Sequence, residues 1–292
     1  MKNMTKTWYI GELPFVWGHH KNSDEFAVPV VLPFELAQDG PTGRLFQKPS
    51  DQISSTLEKV YGIGSSMSGL MDALGPGNKY SADFLTYIGS SEHIGRLHES
   101  KILEIGCGTG FLLNQLKGEG ASVVGIEPAA SLVERQVAND MVIIRGFYPS
   151  DQLSGEFDLL ILFLVLEHME DPVHFLRQTR SNLGPDGKLI IAVPDCEPYL
   201  SSGDPSILFH EHWSYFTQES LRHTVEAADM KVVEIVPAQY GDILYCTVTG
   251  GHSDKQRASE VYSLDRYRDA CTRRTTVLAG ILANARNESK SI

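Results

Sequence analysis

Between residues 101 and 249 short apolar runs alternate with stretches whose apolar residues fall at helical spacing. The runs Lys101–Ile105, Ser122–Ile126, Met141–Ile144, Phe157–Leu166 and Lys188–Val193 predict strands. Helices are predicted from Phe111–Leu116, Ala129–Ala138, Pro172–Asn182 and Gln218–Ala228. Phe157–Leu166 is nearly all Leu, Ile, Val and Phe, the composition of a central parallel strand buried on both faces. Two further strands, Lys231–Val236 and Ile243–Thr249, are separated by a short segment containing Gly241-Asp242, which suits a hairpin. The pattern predicts an α/β fold: a doubly wound, mostly parallel seven-stranded sheet that closes with an antiparallel hairpin.

The flanks differ from this core. Residues 1–75 are irregular and rich in Pro, Gly and aromatics, and they predict a few short edge strands and loops rather than long helices. Residues 254–286 carry Val261, Leu264, Tyr267, Ala270, Val277, Leu278, Ile281 and Leu282 at helical spacing and predict one or two terminal helices. The expected organisation is an N-terminal lid or acceptor region over 1–75, a ligand-binding domain over 76–250 and a helical extension over 251–292.

Composition narrows the function. The 292 residues include 25 Lys and Arg against 37 Asp and Glu, a net charge of −12. Nucleic acids and anionic membranes need basic patches, so neither is an expected partner. The longest apolar run is far shorter than the ~20 residues of a spanning helix, and the first residues lack the apolar core of a secretory signal. Cys107, Cys196, Cys246 and Cys271 lie far apart. That excludes the common zinc ribbons and fits a reduced, cytoplasmic protein.

The strongest local signal is Glu104-Ile105-Gly106-Cys107-Gly108-Thr109-Gly110, between a predicted strand and a predicted helix. Glycines there let the backbone turn sharply and let a ligand come close to free N–H groups. A dinucleotide fingerprint would continue with glycine at position 111, where Phe111 stands, so a nicotinamide cofactor is disfavoured. Glu127 ends the second strand. A lone Glu at a strand end is usually a solvated loop residue, but behind a glycine turn it reads as a ligand for ribose hydroxyls.

Four segments together resemble the class I S-adenosylmethionine-dependent methyltransferases. They are ILEIGCGTGFLL (102–113), VVGIEPAASLVE (123–134), FDLLILFLVLEHMEDP (157–172) and LGPDGKLIIAVPD (183–195). The resemblance implies S-adenosylmethionine as cofactor, with Gly106 and Gly108 facing its methionine part. Glu127 would hold the ribose and the Gly146-Phe147 turn would lie near the adenine, while Glu104 and Gly110 complete the cofactor set. Many relatives place an acid after the third strand; here a backbone contact or a stacked Phe147 would replace it.

A narrower likeness links Ile207–Phe216, with its Glu211-His212-Trp213-Ser214-Tyr215 core, to the deoxysugar C-methyltransferases. Val60–Ser68 and Leu166-Glu167-His168 are also similar to segments of that group. Those enzymes methylate the carbon beside a keto group. Two of their usual parts, a cysteine-rich zinc module and a further α/β domain after the terminal hairpin, have no counterpart here, and Phe209 stands where an aromatic hydroxyl is common.

The likeness implies a small-molecule acceptor, His212 as general base, Glu211 as its orienting partner and His168 as a second candidate base. Tyr61 and Tyr215 become candidate acceptor ligands. In a plainer reading His212 simply packs beside Trp213 and Tyr215. An O- or N-methyltransferase, or a nucleoside-binding protein without turnover, are the alternatives. His210 and His212 would point the same way on an extended chain, and His19-His20 add two more imidazoles. No metal is expected, because this spacing matches no standard zinc motif and sulfonium methyl transfer needs no Lewis acid. Glu170-Asp171 before Pro172 reads as a helix start.

Overall fold

The computed structural model describes residues 6–15, 28–63, 77–136, 140–251 and 262–289. The chain opens with strands β1 (Thr7–Pro14), β2 (Val31–Gln38) and β3 (Leu45–Gln47), followed by helices α1 (Asp51–Ile63) and α2 (Asn78–Ser90). The central region runs β4 (Lys101–Ile105), α3 (Phe111–Gly118), β5 (Ser122–Glu127), α4 (Ala130–Val133), β6 (Val142–Arg145), β7 (Phe157–Phe163), α5 (Pro172–Thr179) and β8 (Leu183–Pro194). Then follow α6 (Glu197–Ser202), β9 (Ser214–Tyr215), α7 (Gln218–Ala227), β10 (Lys231–Pro237), β11 (Ile243–Thr249) and α8 (Leu264–Ser289).

The larger sheet has seven strands in the order β10-β11-β8-β7-β4-β5-β6. The five strands from β6 to β8 are parallel, and β11 and β10 close the sheet antiparallel, as the hairpin reading requires. Alternation along the strands builds a core on each face. Leu160 and Leu162 of β7 pack with Phe175 and Leu176 of α5 and Leu221 and Val225 of α7. Leu159, Ile161 and Phe163 pack with Phe84 and Ile88 of α2 and with Leu112, Leu113 and Leu116 of α3. Leu160 is fully buried; Leu160→Ala should cost ~2–5 kcal/mol in urea unfolding, the range for a truncated core leucine.

Several elements depart from the sequence expectation. β7 ends at Phe163 and not at Leu166, because Leu164 takes a left-handed backbone with φ 56° and turns the chain. A 3-10 turn over Leu166–His168 follows. The second crossover helix is a single turn over Ala130–Val133, and β8 is longer than expected, spanning Leu183–Pro194.

The N-terminal region is also more regular than expected. It contains a helix, α1, whose Ile53, Leu57 and Val60 form a helical stripe buried against Leu32 and Trp213. Its strands form an antiparallel sheet, β1-β2-β3-β9, completed by two residues from the loop after β8. One C-terminal helix, α8, buries Leu264 and Tyr267 against Phe34, Leu36 and Leu200. Among the described residues no helix is long and apolar enough to cross a membrane.

Candidate active site

In doubly wound sheets the ligand crevice lies where the strand order reverses, beyond the carboxyl ends of the strands. Here that point lies between β4 and β7. After β4 the backbone takes left-handed conformations at Gly106 (φ 75°) and Gly108 (φ 55°). A Cβ at Gly106 would stand 2.7 Å from Val165 Cγ2, whereas nothing lies within 4 Å of the corresponding point at Gly108. The first glycine therefore permits close packing, and the second leaves open space.

Glu127, at the end of β5, is pinned by backbone N–H groups. The Gly108 N–H donates to one carboxylate oxygen and the Ala129 N–H to the other, each at 2.9 Å. Burial raises its pKa and those two hydrogen bonds oppose the rise. Each oxygen keeps acceptor capacity for a ligand hydroxyl. Glu104 and Phe147 line the same cavity, and Phe147 is 54% exposed, so its ring face is available at the mouth. Gly110 does not line it. Its left-handed backbone starts α3, and a Cβ there would meet Met141 Cε at 2.8 Å, so a glycine lets the start of α3 pack closely beside β6.

The other end of the cavity is built by the turn after β7 and the loop between β8 and α7. The Trp213 N–H donates to the Glu167 carbonyl at 2.8 Å, the Gln47 N–H donates to the Trp213 carbonyl at 3.0 Å, and β9 pairs with β3. The loop is thereby held between the two sheets. His168 Nδ1 lies 2.7 Å from the Glu211 carbonyl oxygen and 3.0 Å from the Tyr61 hydroxyl. A carbonyl can only accept, so Nδ1 carries the proton and Nε2 is left as an acceptor. Burial lowers the His168 pKa to about 4. His212 packs at a tilt of 43° against Phe209 with ring centroids 3.9 Å apart and lies 4.9 Å from the His168 ring. Burial, and next the neighbouring His168, hold its pKa well below the usual range. Both imidazoles are therefore neutral at physiological pH.

The structure brings Tyr61, His168, Glu211 and His212 to one wall of the cavity. Glu211 orients this wall through its main-chain carbonyl, which accepts from both His168 and Tyr61. Tyr215 is not part of it. Its ring is 1% exposed in the core beside Phe34 and Leu200, and its hydroxyl donates to the Phe209 carbonyl at 3.3 Å. His210 and His212 diverge, because a turn closed by the His212 N–H on the Phe209 carbonyl replaces the extended chain. His210 Nδ1 pairs with Gln47 Oε1 at 2.7 Å, and its ring packs on Phe34. His19, His20 and Ser65–Ser68 lie outside the described residues.

Glu167, Phe209 and Tyr199 also line the cavity, and the sequence reading assigns none of them a role in the site. For Glu167 a signal existed: an acid directly after a buried apolar run, at the carboxyl end of a central strand. Glu167, His168 and His212 each bring one ligand-capable atom within 4.8 Å of the others.

The strand order, with a glycine turn after β4 at the switch point and an acid at the end of the neighbouring β5, matches the class I S-adenosylmethionine-dependent methyltransferase fold. A family model described as a methyltransferase domain matches residues 73–235, and the chain belongs to that family. The C-methyltransferase NovU of Streptomyces niveus is 30% identical over 152 residues, covering 49% of this chain but only 36% of NovU. A ubiquinone biosynthesis O-methyltransferase of Acinetobacter baylyi is 24% identical over 174 residues, 52% of this chain and 72% of that protein. A solved complex of DhpI with SAM and HEP shares the fold, with a TM-score of 0.53 at 16% identity over 69% of this chain and all of DhpI.

The residues present fit S-adenosylmethionine. The open space at Gly108 would admit its chain, Glu127 would accept from ribose hydroxyls and Phe147 would offer its ring to the adenine. Glu127→Ala should weaken its binding by ~1–3 kcal/mol in calorimetry, the scale of hydrogen bonds to a charged group. Unchanged affinity would remove Glu127 from the cofactor site.

Proposed function

We propose that the protein transfers the methyl group of S-adenosylmethionine to a carbon beside the keto group of a small-molecule acceptor, with His212 as the general base. One observation carries this reading. A single cavity of about 540 Å³ is lined both by the glycine turn with Glu127 and by His168 with His212. When bound, the cofactor supplies an electrophilic methyl group on a positively charged sulfur. Alignment of the acceptor and removal of its proton are then the tasks left to the protein.

His212, buried and neutral, has a ring lone pair with which to take a proton from carbon. His168 is fixed by the Glu211 carbonyl and Tyr61, so its Nε2 offers a second acceptor at a set position. Tyr61, on α1, brings the N-terminal region to the acceptor side of the pocket. The likeness to NovU, named as a C-methyltransferase, supports carbon as the target. The likeness to an O-methyltransferase favours a second reading, in which the same imidazole deprotonates a hydroxyl.

Proton exchange distinguishes the two. In heavy water, with S-adenosylhomocysteine present so that no methyl can move, the wild-type protein should place deuterium beside the carbonyl of dihydroxyacetone or a 4-keto-6-deoxyhexose. Absence of exchange, together with a product methylated on oxygen, would replace the carbon reading with the second one.

A further inference from the structure

Proton removal by His212 leaves Glu167 without a task, although its surroundings are unusual. The residue is 1% exposed, and no other described residue gives either carboxyl oxygen a hydrogen bond; only its own backbone N–H lies near enough to oppose the effect of burial. Buried polar side chains are almost always paired, because an unpaired one carries its full desolvation cost. Glu167 lies on the wall of the cavity and not in sealed core. Its carboxyl oxygens are closed to bulk water, so only a group seated tightly against that wall can supply the missing partner.

The groups around Glu167 decide which form of the carboxyl that partner meets. His168 lies on the same turn, its Nε2 4.0 Å from Oε1. His212 and Glu211 come from the loop before β9, Tyr61 from α1 and Cys196 from the segment after β8. Both histidines are neutral, so none of these groups is a cation at neutral pH. Without a countercharge, burial pushes the Glu167 pKa up to about 8, and the carboxyl holds its proton near neutrality. A carboxylic acid kept neutral in an apolar site can donate a hydrogen bond to an enolate oxygen.

We propose that Glu167 is a catalytic acid, its O–H hydrogen-bonded to the carbonyl oxygen of the acceptor and its proton delivered there as the enol forms. This rests on the carbon-methylation reading. Atoms within 4.8 Å of one another are close enough to meet the oxygen and the adjacent C–H of one ketone. His212 takes the proton from carbon, and the C–H electron pair becomes the C=C bond. The carbonyl π pair takes the proton of Glu167, leaving enol, imidazolium and carboxylate. The C=C pair would then form the carbon–methyl bond as the methyl–sulfur bond breaks, leaving S-adenosylhomocysteine; the enol proton returns to Glu167, the carbonyl re-forms and His212 releases its proton to water.

Two measurements test this role. Infrared difference spectra of the wild type against Glu167→Gln should show, near neutral pH, a carboxylic C=O band that the variant lacks. The band should fade as pH rises through about 8. Deuterium uptake into dihydroxyacetone and a 4-keto-6-deoxyhexose should fall ~10²–10³-fold in Glu167→Ala, the effect of removing an oxyanion donor. Glu167→Gln keeps a donor but has no proton to give. Its uptake should fall less and should lack the decline above pH 8 expected of the wild type. Unchanged S-adenosylmethionine affinity in both variants would show that they fold.

Absence of the band overturns the proposal, as does wild-type exchange in Glu167→Ala. One zinc ion per chain, lost in both variants, would overturn it too, because Glu167 would then be a ligand. If the wild type exchanges no deuterium, the carbon reading itself falls; if wild type and Glu167→Ala exchange alike, that reading stands and only this role falls.

Discussion

His212→Asn should lower methyl transfer by ~10²–10⁴, the usual worth of a general base, with little change in affinity for S-adenosylmethionine. Two features of the structure lead to this expectation. The ring lines the acceptor end of the cavity, away from the glycine turn that would hold the cofactor. Its pKa is also held well below the usual range, so the basic form is present at neutral pH and only acid would remove it. Activity limited by this group should therefore persist through neutrality and fall on the acid side. Asn keeps a hydrogen-bonding side chain but cannot accept the proton. If His212 only packed against Phe209, the variant would lose stability and keep its turnover per folded molecule. Turnover measured beside a thermal melt separates these cases, and full turnover in the variant would end the base assignment.

Gly108→Val should abolish S-adenosylmethionine binding while the protein still folds. Gly108 has φ 55°, a left-handed conformation that costs a residue with a Cβ roughly 1–2 kcal/mol. Nothing lies within 4 Å of the point where that Cβ would stand, so the protein itself offers no clash. The branched side chain would project into the space left for the ligand, next to the N–H that holds Glu127. Calorimetry should detect no binding, and circular dichroism should keep the wild-type spectrum. Wild-type affinity would place the cofactor elsewhere. The comparison with Gly106→Val is informative, because a Cβ there meets Val165 at 2.7 Å and the damage should extend to the fold.

The parts of this molecule that were legible in the sequence are those fixed by local pattern. The strands of the large sheet are apolar runs between turn residues, and their periodicity follows from burial on one or both faces. The glycine turn and Glu127 were readable because both follow strand ends directly. Leu164 marks the first limit. A left-handed leucine carries no signature, so the apolar run continues through Val165 and Leu166 although the strand stops at Phe163.

Long-range contacts set the second limit. The N-terminal sheet needs Ser214 and Tyr215, supplied from far along the chain, before β3 has a partner. That pairing draws Tyr215 into the core and away from the acceptor, which no local pattern reveals. The same docking bends the chain at Phe209–His212, so two histidines that would point the same way on an extended chain face different surroundings. For Glu167 the sequence marks only an acid after a buried apolar run. Its importance lies in having no partner once buried, a property of the packed structure and not of any neighbour in sequence.

Transfer from S-adenosylmethionine labelled with carbon-13 in its methyl group tests the central claim most directly. The protein is incubated with a 4-keto-6-deoxyhexose and the product is read by NMR. The account predicts a new methyl signal coupled to a ring carbon beside the carbonyl, matched mole for mole by S-adenosylhomocysteine. A labelled methyl on oxygen or nitrogen would contradict carbon transfer, and no label in any product would contradict methyl transfer to this class of acceptor.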